Sequence, residues 1–118
     1  MEHWIWDRET DEIKSVDFMT WSRWYEKANR HLAKDKPCEG VMVSTVFLPG
    51  DHSLGDEDGP ILWETMIFSD GVLPHLDESQ WRYRSKEDAL AGHANAMVEV
   101  EQAIRERERM QRTAERRG

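Results

Sequence analysis

Asp51, His52, Glu64, Arg82, Tyr83 and His93 are the side chains of this sequence whose types could do chemistry together. His52 directly follows Asp51, and a carboxylate beside an imidazole can fix its tautomer and tune its basicity. Glu64 stands inside the apolar segment ILWETMIF, where a carboxylate without a partner would cost several kcal/mol. Arg82 and Tyr83, in QWRYR, are the cation and hydroxyl nearest to hand. His93 lies on the apolar line of the last helical segment, directly after Gly92, a residue that costs about 1 kcal/mol against Ala inside a helix. That glycine implies a close approach by a strand, a loop or a ligand.

Each of these groups also has a structural reading. Glu64 with Arg82 or Tyr83 is a cross-strand contact, Asp51-His52 is an ordinary turn in which Asp bonds its own downstream backbone, and His93 is a core histidine. His52, Glu64 and His93 could form a two-His, one-carboxylate metal set, but no short fixed spacing of the H-E-x-x-H kind supports it. No serine or cysteine sits in a nucleophile elbow, and no glycine-rich loop opens a helix in the phosphate-binding pattern. The expectation is therefore a ligand-facing cluster with no catalytic residue, no metal and no cofactor.

The elements that must position these residues follow from periodicity. HWIWD alternates as a short strand and EIKSV returns antiparallel to it. Asp17 caps a helix in FMTWSRWYEKANRHLAK, where Phe18, Trp21, Trp24 or Tyr25, Ala28 and Leu32 recur at helical spacing, and Pro37 to Gly40 stops it. That helix is expected to bury an aromatic stripe. VMVSTVFL reads as a central strand, apolar on both sides, and ILWETMIF as a second one, with Ile61, Trp63, Thr65 and Ile67 on one face. QWRYR reads as an edge strand. Ser85 with Asp88 resembles a capping box that opens the last helix along Ala89, Leu90, His93, Met97, Val100 and Ile104. The fold class expected is α+β: an antiparallel sheet of about three to five strands with two helices packed on one face. One domain spans 1–105, and 106–118 is a charged, fraying helical tail.

Charge is uneven along the chain. Of the net −8, residues 37–81 contribute nine acids and no Lys or Arg, while residues 82–118 hold seven acids and nine bases. Such an acidic block repels phosphate and attracts basic surfaces, which argues against nucleic acid and marks Asp56, Glu57 and Asp58 as candidate partner-binding residues. With Cys38 the one cysteine, an internal disulfide is excluded and a reducing compartment is expected. MEHWIWDRETDE lacks the basic and apolar regions of a signal peptide. No apolar run approaches the roughly 20 residues that span a bilayer, so no membrane partner is expected.

Ser44 to Leu48, Asp51-His52, Gly59-Pro60, Leu62 to Met66, Arg82-Tyr83 and Gly92-His93 recur in that order in a family of small uncharacterised tailed-bacteriophage proteins, which the stretch from about Trp21 to His93 resembles. Pro49, the acidic Asp56-Glu57-Asp58 and the tail after Val100 fall outside the resemblance. It implies a phage protein at work in the host bacterial cytoplasm, with no established activity attached. Three functions follow as expectations. The first is an accessory protein that binds a host protein, one version being counteraction of a bacterial defence system. The second is a small-molecule or nucleotide binder or enzyme around Glu64, Arg82, Tyr83, His52 and His93. The third is a virion structural or assembly protein, including a homodimer formed through the aromatic first helix or the edge strand.

Overall fold

A computed structural model describes residues 2–53 and 58–117. Strands β1 (His3–Asp7) and β2 (Glu12–Val16) form an antiparallel hairpin in which Trp6 faces Ile13. The turn between them is tied from inside, since the Trp6 indole N–H donates to Asp11 Oδ1 at 2.9 Å. Asp11 has φ 59, a left-handed conformation that Asp tolerates better than most residues.

Helix α1 (Phe18–Lys27) starts where expected: Asp17 Oδ1 accepts the Thr20 N–H at 2.8 Å. It ends earlier than its apolar spacing suggests. The chain becomes extended at Ala28, Asn29 Oδ1 accepts the His31 N–H, and HLAKDKPC is strand β3 (His31–Cys38) rather than the last turns of the helix. The reason is tertiary. Strand β4 (Val41–Phe47) is buried along most of its length and needs a hydrogen-bonded neighbour on each side, and β3 supplies one. Lys34, Asp35 and Lys36 suit an edge strand, and Pro37 falls within the register shift between Asp35 and Cys38, where a missing N–H is tolerated. Gly40, at φ 80, makes the tight return into β4.

Strands β5 (Trp63–Phe68) and β6 (Gln80–Tyr83) complete an antiparallel sheet of order β3-β4-β5-β6. Helix α2 (Lys86–Arg117) opens on the expected cap, with Ser85 Oγ accepting the Asp88 N–H at 3.0 Å. The fold is α+β, with a four-stranded sheet plus a separate two-stranded hairpin.

Two packed clusters hold these parts together. An aliphatic one joins Val41, Val43, Ile67 and Leu73 to Ala96 and Val100 of α2. An aromatic one joins Trp6, Phe47, Leu62 and Trp63 to Ala89 at the start of α2. Trp6 meets Trp63 edge-on at 4.9 Å and Phe47 meets Trp63 at 5.1 Å, contacts worth about 0.5–1.5 kcal/mol each beyond area burial. Helix α1 differs from expectation here as well, because none of its residues is buried. It reaches the sheet through Trp24, whose ring meets Phe47 edge-on at 5.6 Å.

Candidate functional site

Strand register decides which candidates share a face. Val43 pairs Ile67, Thr45 pairs Thr65, Phe47 pairs Trp63, and Trp63 in turn pairs Tyr83, so these residues line the face that α2 covers. The alternate residues point away from it: Val46 pairs Glu64, and Glu64 pairs Arg82. A pleated strand cannot place neighbours on one side. Arg82 and Tyr83, adjacent in sequence, are therefore divided between the two faces.

On the open face Arg82 Nε donates to Glu64 Oε2 at 2.9 Å, the cross-strand pair expected for a carboxylate in an apolar strand. The Glu64 side chain is 15% exposed and that of Arg82 40%. In that setting the pair is worth at most about 1 kcal/mol.

Asp51 and His52 lie beyond the end of the β4–β5 pair. The ladder continues there through Leu48 N–H to Leu62 O and His52 N–H to Ile61 O. Asp51 Oδ1 accepts the N–H groups of both Ser53 and Ile61 at 2.8 Å, and its Oδ2 accepts the Ser53 hydroxyl. Partial burial works to raise the Asp51 carboxyl, but those donors, together with the His52 charge, outweigh it and hold the group below the ordinary carboxylate range. Asp51 is thus a turn-closing residue. Asp58 is exposed, and Asp56 and Glu57 lie outside the described residues.

Under α2 sits an arrangement that sequence reasoning missed. Thr65 and Thr45 hydroxyls lie 2.6 Å apart, Thr45 Oγ1 is 2.7 Å from His93 Nδ1, and His93 Nε2 is 2.7 Å from Asp35 Oδ2. Each of the three contacts can carry one proton, so every polar atom in the chain has a partner. The chain ties α2 to β3, β4 and β5 at once. Two hydroxyls inside otherwise apolar strands, at positions that pair directly, were the available signal. Asp35 could not be found while its segment was read as helix.

Order and chemistry here resemble an acid-base-hydroxyl triad, but access does not. Thr45 and Thr65 have no exposed surface, so neither hydroxyl can meet a substrate. Asp35 alone reaches solvent, its side chain 53% exposed, at an open cleft of about 370 Å³ shared with Lys36, Pro37, Met97, Glu101, Ile104 and Arg105.

The close approach implied by Gly92 is made by Tyr83. A Cβ on Gly92 would fall 2.0 Å from the Tyr83 hydroxyl oxygen and 2.2 Å from Cζ, so the ring occupies the space any side chain would need. The pocket expected around Glu64, Arg82, Tyr83, His52 and His93 is therefore not assembled. Glu64 and Arg82 are on the open face, Tyr83 and His93 on the covered one, and His52 in the loop beyond them. Among the described residues no three His, Cys, Asp or Glu side chains group as metal ligands, and His52, Glu64 and His93 are apart for the same reason.

An aromatic ladder on the surface completes the inventory. Phe18 and Trp21 of α1 both contact the His3 ring, Trp21 stacks on Tyr25 at 5.1 Å, and the Arg30 guanidinium lies over Tyr25 at 4.9 Å. Phe18 is 55% exposed and Met19 58%. No helix among the described residues is long and apolar enough to cross a membrane. Comparison with protein-family models, with curated proteins and with solved structures finds no match to this chain.

Proposed function

We propose that this chain is a small binding protein that acts on a host macromolecule through its surface, with α1 as the contact element. The observation that carries the reading is the exposed aromatic face of α1. A ten-residue helix has little stability of its own, and this one buries no residue, yet it presents Phe18, Met19 and Tyr25 to solvent beside Arg30, with Trp21 half-buried among them. Aromatic, Met and Arg side chains are the types enriched at the centres of protein interfaces. The buried Thr65–Thr45–His93–Asp35 chain supports the same reading, since its hydroxyls have no route to a substrate. The acidic stretch 37–81, with Asp56, Glu57 and Asp58 at its loop, favours a partner with a basic surface. The bacteriophage setting and a role against a bacterial defence system rest on the sequence resemblance and belong to the proposal.

The test is capture from a bacterial host lysate on the immobilised chain, compared with a Phe18→Ser/Trp21→Ala variant, followed by rebinding of the captured protein in purified form. A partner retained by the wild type and weakened more than about tenfold by the variant is expected, the scale of a lost aromatic hot spot. Equal recovery on both surfaces, or none on either, overturns the assignment.

A further inference from the structure

The second half of α2 continues the packed-face pattern of the first beyond the part of the helix that covers the sheet. Its first half lays Ala89, His93, Ala96 and Val100 on the sheet, at alternating steps of four and three residues, and all four are buried. The same steps continue through Ala103, Arg107, Met110 and Ala114. Beyond Ile104 the helix leaves the body, and residues 105–117 are exposed throughout, projecting roughly 20 Å at 1.5 Å per residue. Met110 is 62% exposed.

Along this stripe runs an open groove of about 410 Å³, whose other wall is the loop Val72, Leu73, Pro74 and His75. The two walls belong to oppositely charged parts of the molecule. Asp70, Asp77 and Glu78, all exposed, flank the loop within a stretch that has no Lys or Arg, whereas residues 105–117 carry six Arg against three Glu. A loop flanked by acids and an arginine-rich helix carrying Ala103, Met110 and Ala114 are complementary surfaces, and one chain carries both.

We infer that two copies of this chain exchange the projecting half of α2. Each helix lays its Ala103–Met110–Ala114 stripe into the groove of the other copy, and its arginines approach the partner's acidic loop. Such an exchange is isologous: the same surfaces serve both protomers, so the assembly closes at two. It places the two α1 faces on one particle. This dimer rests on α2 and the 72–75 loop, and not on the aromatic helix or the edge strand β6.

Sedimentation equilibrium of the full chain, up to millimolar concentration and at low and high salt, reads this out. A reversible dimer is expected, weakened at least tenfold by Met110→Glu and by Ala114→Glu, weakened by salt, and retained by Glu108→Gln outside the stripe. Thermal melts of both stripe variants are expected to match wild type, because both positions are solvent-exposed. A chain that stays monomeric at every concentration overturns the inference, whatever else the groove then binds. So does a dimer that both stripe variants leave equally strong, which would place the contact on another surface.

Discussion

Two aromatic clusters of similar composition both draw on strand β1, through Trp6 in one and His3 in the other, and differ in what they do. Trp6, Phe47 and Trp63 are 3%, 0% and 1% exposed and join the hairpin to the sheet. His3, Phe18, Trp21 and Tyr25 also touch one another, mostly tilted or stacked rather than edge-on, and there Phe18 and Tyr25 are exposed while His3 and Trp21 are half-buried. The difference lies in what stands opposite each ring. The first cluster closes on the sheet and on Ala89, whereas the second links α1 to His3 of the hairpin and to Arg30 and leaves Phe18 and Tyr25 exposed. Aromatic content therefore marks stability in one place and a contact surface in the other, and composition alone cannot separate them.

Removing the buried side of this comparison gives the largest effect. Trp63→Ala takes away the ring that both Trp6 and Phe47 meet edge-on, and a loss of about 3–5 kcal/mol is expected in chemical denaturation. A loss below 1 kcal/mol would mean that the hairpin is not held through this cluster. Next comes the polar chain under α2. Thr45→Val keeps the shape but leaves Thr65 and His93 Nδ1 buried without their shared partner, for an expected cost of about 1–3 kcal/mol. Thr65→Val removes only the terminal hydroxyl and is expected to cost less, so the reverse order would break the assignment of Thr45 as the shared partner of Thr65 and His93. The smallest stability effect belongs to the outer cluster. Phe18→Ala is expected to change stability by no more than about 0.5 kcal/mol, the range of ordinary surface substitutions, while it weakens partner capture. A large loss of stability there would make α1 a structural element and remove the main support for its binding role.

Much of the architecture was legible because it rests on local patterns. The alternation of HWIWD and EIKSV, the apolar runs around Val43 and Ile67, and the caps Asp17 and Ser85 each act over a few residues and survive in the fold. The Glu64–Arg82 pair was legible across 18 residues, since a carboxylate in an apolar strand demands a nearby cation. What failed depended on the order and register of whole strands. HLAKDKPC has helix-like spacing, but β4 needed an edge partner and that demand prevailed over local preference. The pocket around Glu64 and His93 failed through a parity of one: Tyr83 stands beside Arg82 in sequence and on the other side of the sheet.

By itself the sequence determined which segments are apolar, where the helices start, how charge is divided and which polar residues required partners. These are properties of single side chains and of their spacing over a turn or a pleat. Only the tertiary structure decided that His93 is joined to Asp35 and Thr45, that Tyr83 fills the space above Gly92, and that the aromatic face of α1 remains open. Each of those outcomes depends on strand register and on the placement of α2 over the sheet, which bring together residues dozens of positions apart through packing that no local pattern encodes.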